Sequence, residues 1–252
     1  MRLAGHHAVV TGAGSGIGAA IARALGSEGA KLTLIGRRRA PLEEVAADLD
    51  AFVAPTDVTD RDEIDESFVR AREAKGPFTI LVNNAGAAES TGFAKLTDAS
   101  WRRMMAVNLD ALFHCCQAAL PDLLCAASGR LITIASTAGL RGYPYTAAYV
   151  AAKHGAVGLT RALAVEFAAS SLTVNAVCPG FTDTELVTGA VATIKARTGR
   201  SEAEARAELA RLNPQGRLVT PEEVASAVVW LCLPESRSIN GQAISVSGGE
   251  AA

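Results

Sequence analysis

The sequence predicts an α/β fold in which a mostly parallel, doubly wound sheet carries helices on both faces. The first observation is alternation, because short runs rich in β-branched residues are followed repeatedly by longer alanine-rich stretches with helical periodicity. The second is the run at 79–82, which is apolar enough to be buried on both faces, as in a parallel sheet. The third is the lack of a linker or composition shift, so we expect residues 1–252 to form a single domain.

The elements follow one another in a regular order. Seven strands are predicted, at 7–10, 31–35, from 51, 79–82, 130–134, 172–177 and 243–246. Helices are predicted at about 17–29, 41–49, 61–74, 98–127, 146–169 and 221–231, with a charged helical insert at about 184–212. Pro41 is tolerated because it falls in the first turn of its helix.

Composition excludes several classes of protein. Hydrophobic residues make up 49% of the 252, which is too many for a disordered chain. The 24 Lys+Arg against 26 Asp+Glu argue against nucleic acid or an anionic membrane as a partner. The five cysteines form no C-x-x-C pair and the four histidines no metal-binding motif, so we expect no disulfide framework and no metal. The chain shows neither a signal peptide nor an apolar run of about 18 residues, and the cytoplasm is the expected compartment.

A glycine-rich turn follows the first strand and opens a helix. It reads TGAGSGIG from Thr11 to Gly18. Glycines let a backbone approach a pyrophosphate closely, and a helix N-terminus offers free N–H groups to phosphates. The spacing differs from the usual G-x-G-x-x-G dinucleotide fingerprint, and a flexible strand–helix turn is the alternative.

Basic residues follow the second strand. Gly36 precedes Arg37, Arg38 and Arg39, where an acidic residue would bind the ribose of NAD. Because a guanidinium can clamp a phosphate, the sequence favours NADP(H), with NAD(H) possible. The alternative is a solvated basic turn without a ligand.

Three side chains suggest acid–base chemistry. Tyr149 and Lys153 are four residues apart on a predicted helix and therefore share a face. A neighbouring ammonium should lower the phenol pKa, which suits proton exchange with an alcohol or ketone. Ser136 follows the fifth strand, at the sheet edge where such folds bind ligands. The alternatives are a surface cation pair and an ordinary turn serine.

Taken together, these features resemble the short-chain dehydrogenase/reductase family over essentially the whole chain, and most closely its 3-oxoacyl reductases and 3-hydroxyacyl or secondary-alcohol dehydrogenases. The resemblance rests on the glycine turn, Asp57-Val58, the Asn83–Gly86 segment, Asn108, Ser136, Tyr149 with Lys153, and Pro179-Gly180, each after its proper strand. It implies a Rossmann-like sheet of about seven strands. Ala135 and Ser247 depart from the residues usual in the family, away from the implied chemistry.

The resemblance also implies roles for individual residues. Tyr149 would exchange the proton, Lys153 would bind the nicotinamide ribose, Ser136 would orient the carbonyl, and Asn108 would hold a water linking Lys153 to solvent. The implied coenzyme contacts, beside Arg37, Arg38, Tyr149 and Lys153, are Gly12, Ser15, Gly16, Ile17 and Gly18 at the pyrophosphate, Asp57 and Val58 at the adenine, Asn84, Ala85 and Gly86 at its ribose, and Pro179, Gly180 and Thr182 at the carboxamide.

The expected function is NADP(H)-dependent interconversion of a ketone and a secondary alcohol, with a 3-oxoacyl thioester as one possible substrate. The segment at 181–218 corresponds to the family's substrate-covering insert, and its basic residues could meet CoA or acyl carrier protein, although a solvated lid of mixed charge is favoured. An NAD-dependent dehydrogenase of a cyclic or aromatic alcohol is an alternative. Outside this class, a nucleotide-sugar epimerase and a dinucleotide-sensing binding protein stay open. The family usually forms homotetramers.

Overall fold

The sheet has seven strands, as the sequence predicts, and every neighbouring pair is parallel. The computed structural model describes residues 1–251, apart from the side chain of residue 197. The strand order is β3-β2-β1-β4-β5-β6-β7. The strands are β1 His7–Thr11, β2 Lys31–Gly36, β3 Ala51–Pro55, β4 Ile80–Asn83, β5 Arg130–Ile134, β6 Thr173–Pro179 and β7 Ala243–Val246.

Side chains alternate between two apolar layers because successive residues of a strand point to opposite faces. The helices that cover these faces are α1 Gly16–Ser27, α2 Arg39–Ala46, α3 Arg61–Lys75, α4 Asp98–Met105, α5 Ala111–Cys125, α6 Ala147–Glu166, α7 Glu185–Thr198, α8 Glu202–Ala210 and α9 Pro221–Cys232. Val10 and Val82 pack on one face, against α1 and α9. Val9 and Leu81 pack on the other face, against α3, α5 and α6.

Two predicted helices are interrupted in the structure. The stretch predicted at 98–127 contains α4, a π-helical turn over Ala106–Asp110, and α5. The insert predicted at 184–212 divides into α7 and α8 at Gly199, whose φ of 71° is a left-handed conformation that glycine adopts readily. Ser201 then starts α8 with a capping box to Glu204.

Parallel strands place all their carboxyl ends on one edge of the sheet. The strand order reverses direction between β1 and β4, and folds of this kind bind ligands at such a switch point. The turns after β1, β2, β4 and β5 therefore meet at one edge, where the sequence places its candidate residues.

Candidate coenzyme and catalytic site

A groove of about 600 Å³ runs along the carboxyl edge of the sheet. It begins at the glycine turn after β1 and ends at Tyr149 and Lys153 on α6. Most of the predicted coenzyme residues line it: Gly12, Ser15, Gly16, Ile17, Gly18, Arg37, Arg38, Asp57, Val58, Asn84, Ala85 and Gly86. Asn108 lines it as well.

Close packing dictates the glycines of this turn. A Cβ atom on Gly18 would lie 2.2 Å from the carbonyl oxygen of Gly12, and one on Gly12 would lie 2.9 Å from Asn84 Nδ2. Gly12 also has a φ of 64°. Helix α1 begins without a side-chain cap at Ser15 and without an acidic residue in its first turn. Its first N–H groups are therefore free to bind a diphosphate, and the turn fits a dinucleotide.

Residues after β4 hold the glycine turn in place. Asn84 Nδ2 donates to the carbonyl oxygens of Thr11 at 2.9 Å and Gly12 at 3.2 Å. Thr11 Oγ1 accepts hydrogen bonds from the backbone N–H groups of Asn84 and Ala85, each at 3.0 Å. Asn84 thus lines the groove, but its amide N–H groups serve the protein backbone. The implied contact of Asn84 with a ribose stays a prediction. Because the side-chain N–H groups are engaged, only the other atoms of Asn84 are free for that contact.

Charged side chains surround the end of the groove at the glycine turn. Arg37 lies near enough to Asp57 to help lower the pKa of that carboxyl group, although the main cause is its hydrogen bond from the Thr59 N–H. Glu185, the first residue of α7, places Oε2 3.8 Å from Arg38 Nη2 and 3.5 Å from Ser15 Oγ. A carboxylate therefore lies where the sequence predicts a phosphate.

The predicted acid–base residues converge at the other end. Lys153 is only 5% exposed, and its Nζ donates to the carbonyl oxygen of Ile134 at 2.9 Å. That nitrogen lies 5.7 Å from the centre of the Tyr149 ring. The Ser136 hydroxyl is close enough to the Tyr149 phenol to favour its ionised form. Asn108 is buried, and its Nδ2 donates to the carbonyl oxygens of Ala87 at 2.9 Å and Met104 at 3.0 Å.

Burial overturns the expected pKa of the phenol. The sequence predicts a lowered pKa for Tyr149, but desolvation raises it and outweighs the hydrogen bond from Ser136. Desolvation also lowers the pKa of Lys153 to about 8, which weakens the ammonium charge that was expected to stabilise a phenolate. The two groups share a face of α6 as predicted, but in the coenzyme-free protein both are driven toward their neutral forms.

The three residues implied at the carboxamide lie beyond the described groove lining. Pro179 ends β6, where it pairs with Val246 of β7. Thr182 is buried, and its Oγ1 donates to the carbonyl oxygen of Gly180 at 3.0 Å. Their contact with a nicotinamide stays a prediction.

The insert over the groove has mixed charge. Its described basic side chains pair with nearby acids, as in Arg206 with Asp183, Arg217 with Glu223 and Lys195 with Glu202. The side chain of Arg197 lies outside the described residues. These pairs are exposed and contribute little, and a contact of the insert with CoA or acyl carrier protein stays a prediction.

Sequence reasoning missed several residues of the site. Thr11 opens the predicted glycine turn, but its hydrogen bonds to the residues after β4 were not predicted. Glu185 carries no motif signal, because its importance comes from contacts with distant parts of the chain. Glu250, near the carboxyl terminus, is also buried at this edge of the sheet. Among residues 1–251, no group of three His, Cys, Asp or Glu could hold a metal ion, and no helix is both long and apolar enough to cross a bilayer.

Known proteins resemble this chain over nearly its full length. A family model described as Enoyl-(Acyl carrier protein) reductase matches residues 12–250. D-beta-hydroxybutyrate dehydrogenase of Rhizobium meliloti is 37% identical over 250 residues, covering 96% of this chain and 97% of that protein. Cis-4-hydroxycyclohexanecarboxylate dehydrogenase of Sinomonas cyclohexanicum is 39% identical, covering 96% and 95%.

A solved structure shares the fold closely. A single-substitution variant of actinorhodin polyketide ketoreductase, crystallised with NADPH, superposes with a TM-score of 0.93 at 37% identity, covering 98% of this chain and 97% of that one. The similarity in sequence and fold, together with the groove described above, indicates a nicotinamide dinucleotide as the cofactor. This chain belongs to the short-chain dehydrogenase/reductase family of NAD(P)-dependent oxidoreductases that act on hydroxyl and keto groups.

Proposed function

We propose that this protein interconverts a ketone and a secondary alcohol with NADP(H), with Tyr149 as the group that exchanges the proton. The observation that carries the proposal is the position of Tyr149 and Lys153 at one end of a groove whose other end is the glycine turn, with the Ser136 hydroxyl beside the Tyr149 phenol. A coenzyme spanning the groove would place its reactive ring beside these groups.

The hydrogen bonds around Ser136 suit it to orient a carbonyl. Its Oγ accepts a hydrogen bond from the Ala138 N–H at 3.1 Å. Its own proton, which it offers to the Tyr149 phenol in the coenzyme-free protein, can be donated to a substrate instead. Donation to a ketone oxygen would stabilise the negative charge that develops there. The bound reduced coenzyme supplies the hydride. Tyr149, held in its protonated form by burial, supplies the proton to the same oxygen.

Lys153 and Asn108 support the phenol. The Lys153 ammonium donates one hydrogen bond to the Ile134 carbonyl oxygen, and its two other N–H groups can donate to a ribose and a water. Asn108 connects the π-helical turn to the backbone of Ala87 through the oxygen and the nitrogen of its side-chain amide. That tie fixes the wall of the groove beside Gly86, where a Cβ atom would meet Asn108 Oδ1 at 2.8 Å.

The choice of NADP(H) rests on Arg37 and Arg38, which line the groove without a carboxylate at the end of β2. Glu185 is the observation that favours the alternative, an NAD-dependent alcohol dehydrogenase. Its carboxylate near Ser15 and Arg38 would repel a 2′-phosphate if it stayed in place. We infer that Glu185 is displaced, because it is held by an exposed ion pair with Arg38 and a long, exposed hydrogen bond from Ser15, and such contacts contribute little.

The substrate class follows from the relatives and the lid. The named relatives act on a small hydroxy acid and on a hydroxycyclohexane carboxylate. The basic side chains of the lid that the structure describes are each paired with an acid, so we favour a small ketone over a carrier-bound one. We further propose a cytoplasmic homotetramer. Light scattering of the purified protein tests the oligomeric state.

The test is Tyr149→Phe, assayed with NADPH and NADH on acetoacetate, 4-oxocyclohexanecarboxylate, L-tagatose and acetoacetyl-CoA. Loss of the phenol proton should lower kcat by at least about 100-fold, while NADPH still binds by fluorescence titration. Survival of ketone reduction within a few-fold would contradict the proton-transfer role. Binding of NADPH without turnover of any ketone by the wild type would favour the epimerase or the binding protein.

A further inference from the structure

A buried carboxylate lies near the carboxyl terminus, outside the machinery described above. Glu250 is 6% exposed, and no hydrogen-bond partner meets its Oε2 among the described residues. The chain reaches it through Gly248 and Gly249, whose φ values of 62° and 100° favour glycine. A buried carboxylate with an unsatisfied oxygen is costly, which suggests a role beyond packing.

Two residues of one loop hold Glu250. We call residues 137–146, which join Ser136 to the helix of Tyr149, the connecting loop. The Tyr143 hydroxyl donates to Glu250 Oε1, and Arg141 Nη1 donates to the Glu250 carbonyl oxygen at 2.8 Å. The Arg141 guanidinium also lies 5.2 Å from the centre of the Tyr143 ring. These two hydrogen bonds, which we call the clamp, therefore attach the connecting loop to Glu250.

The direction of the hydrogen bonds links this clamp to Ser136. Tyr143 Oη lies 2.8 Å from Thr137 Oγ1 and also contacts Glu250. The phenol has a single proton, and Glu250 Oε1 accepts it, so Thr137 donates to Tyr143 and Tyr143 donates to Glu250. Burial and the Glu250 contact raise the pKa of Tyr143 to about 12, which keeps that proton in place. Thr137 directly follows Ser136.

The connecting loop needs such a clamp. Tyr145 has a φ of 65°, the one positive value of a non-glycine residue between residues 1 and 251. Such a conformation persists when the surroundings fix it. The Thr91 N–H contributes one contact, to the Tyr145 carbonyl oxygen at 2.7 Å. The Glu250 carboxylate contributes another, to Tyr143. It occupies a space that exists because Gly180 has no side chain, since a Cβ there would lie 2.7 Å from Oε2.

We propose that Glu250 is a positioning residue for ketone binding: through Tyr143 it holds the connecting loop in the conformation that sets Ser136 relative to Tyr149. The kinetic part of this inference rests on the proposed function. If the clamp is loosened, the loop spends less time in the competent conformation, and ketone binding weakens by the fraction lost. Chemistry in the bound complex should hardly change. Binding of the coenzyme should also hardly change, because most of its implied contacts lie at the glycine turn and along the groove and none lies on the connecting loop.

The experiment compares Tyr143→Phe, Glu250→Gln, the double variant and the matched control Glu166→Gln, an exposed carboxylate at the end of α6. Both test substitutions keep the side-chain shape. With acetoacetate and the other three ketones as probes, each single variant should raise the ketone KM about tenfold, with kcat and the NADPH dissociation constant within about threefold. The double variant should be no worse than the worse single one, because both act on the same hydrogen bond: Tyr143→Phe removes its donor, and Glu250→Gln replaces its charged acceptor with a weaker neutral one.

Hydrogen exchange of the coenzyme-free protein gives a readout that does not depend on turnover. The N–H groups of Leu140 and Arg141, which donate to the Thr137 carbonyl oxygen at 2.9 and 3.0 Å, should exchange faster in Tyr143→Phe and Glu250→Gln than in Glu166→Gln. Unchanged exchange, a multiplicative KM effect in the double variant, or a loss confined to kcat would overturn the proposal. A wild type that reduces no ketone would refute the proposed function instead, and the exchange result would still decide whether Glu250 holds the loop.

Discussion

Replacing Lys153 with methionine should stabilise the coenzyme-free protein at neutral pH while removing its activity. Burial lowers the pKa of Lys153 from the ordinary 10.5 to about 8. At about 1.4 kcal/mol for each tenfold change in the protonation equilibrium, keeping this lysine charged costs the folded state about 3 kcal/mol. Methionine fills a similar volume without a charge. The variant loses the hydrogen bond to Ile134, worth about 1 kcal/mol, which leaves a net gain of about 2 kcal/mol at pH 7.

The pH dependence separates this cause from a general packing effect. Below pH 8 the folded and unfolded states both hold the proton, and the penalty is complete. Between pH 8 and about 10.5 the unfolded lysine keeps a proton that the folded lysine has lost, so the stability of the wild type rises with pH in that window. The advantage of the Lys153→Met variant should therefore shrink from pH 8 upward and be lost by about pH 10.5.

The assay is thermal unfolding of both proteins at pH 7 and pH 10, at one protein concentration. A gain of about 2 kcal/mol corresponds to about 4–8 °C in Tm for a chain of this size. Lys95→Met, at an exposed lysine, is the control and should show no pH-dependent difference. A Lys153→Met variant that is less stable at pH 7, or whose advantage does not change with pH, would refute the reasoning.

Three further outcomes follow from the coenzyme end of the groove. Gly18→Ala should abolish NADPH binding and lower the free energy of unfolding by more than about 2 kcal/mol, because its Cβ would overlap the Gly12 carbonyl. The control is Gly158→Ala, in open space on α6, which should raise the free energy of unfolding by about 0.5–1 kcal/mol. Equal effects of the two variants on unfolding would contradict the packing argument. Arg37→Ala should weaken NADPH binding about tenfold and leave NADH binding unchanged, as measured by fluorescence titration; an equal loss for both coenzymes would refute a phosphate contact. Glu185→Gln should tighten NADPH binding about twofold to fivefold by removing a repelling charge, with a smaller effect on NADH, and weaker NADPH binding would show that the carboxylate does not oppose the phosphate.

The sequence predicted the parts of the fold that local patterns encode. Alternation of strands and helices indicated the parallel sheet, and the position of each motif after its strand placed Gly12, Asn84, Ser136 and Tyr149 at the same edge. The spacing of Tyr149 and Lys153 indicated their shared helix face. These inferences need only the period of a helix or a strand and the common polarity of parallel strands.

What the sequence left out depends on contacts between distant residues. The π-helical turn that holds Asn108 has no local pattern of its own. The hydrogen bonds of the Asn108 side-chain amide to Ala87 form only when the chain has folded. Tyr143 and Glu250 are 107 residues apart, and no spacing rule joins them. Glu185 lies beside Ser15 at the glycine-turn end of the groove, although the two are 170 residues apart in the chain. Periodicity places elements, but it does not say which side chains meet between them.

The pKa of Tyr149 shows how this gap changes a chemical conclusion. From the sequence, the charge of Lys153 was known and its burial was not, so the phenol was expected to ionise more easily. In the folded protein, one apolar environment acts on both groups, raising the pKa of the phenol and lowering that of the ammonium. A lysine that loses its proton near pH 8 can stabilise a phenolate only below that pH, where the phenol itself stays protonated. The pair therefore begins as a protonated phenol suited to donate to a ketone, and its use as a base in alcohol oxidation requires that Lys153 keep its charge while Tyr149 loses its proton.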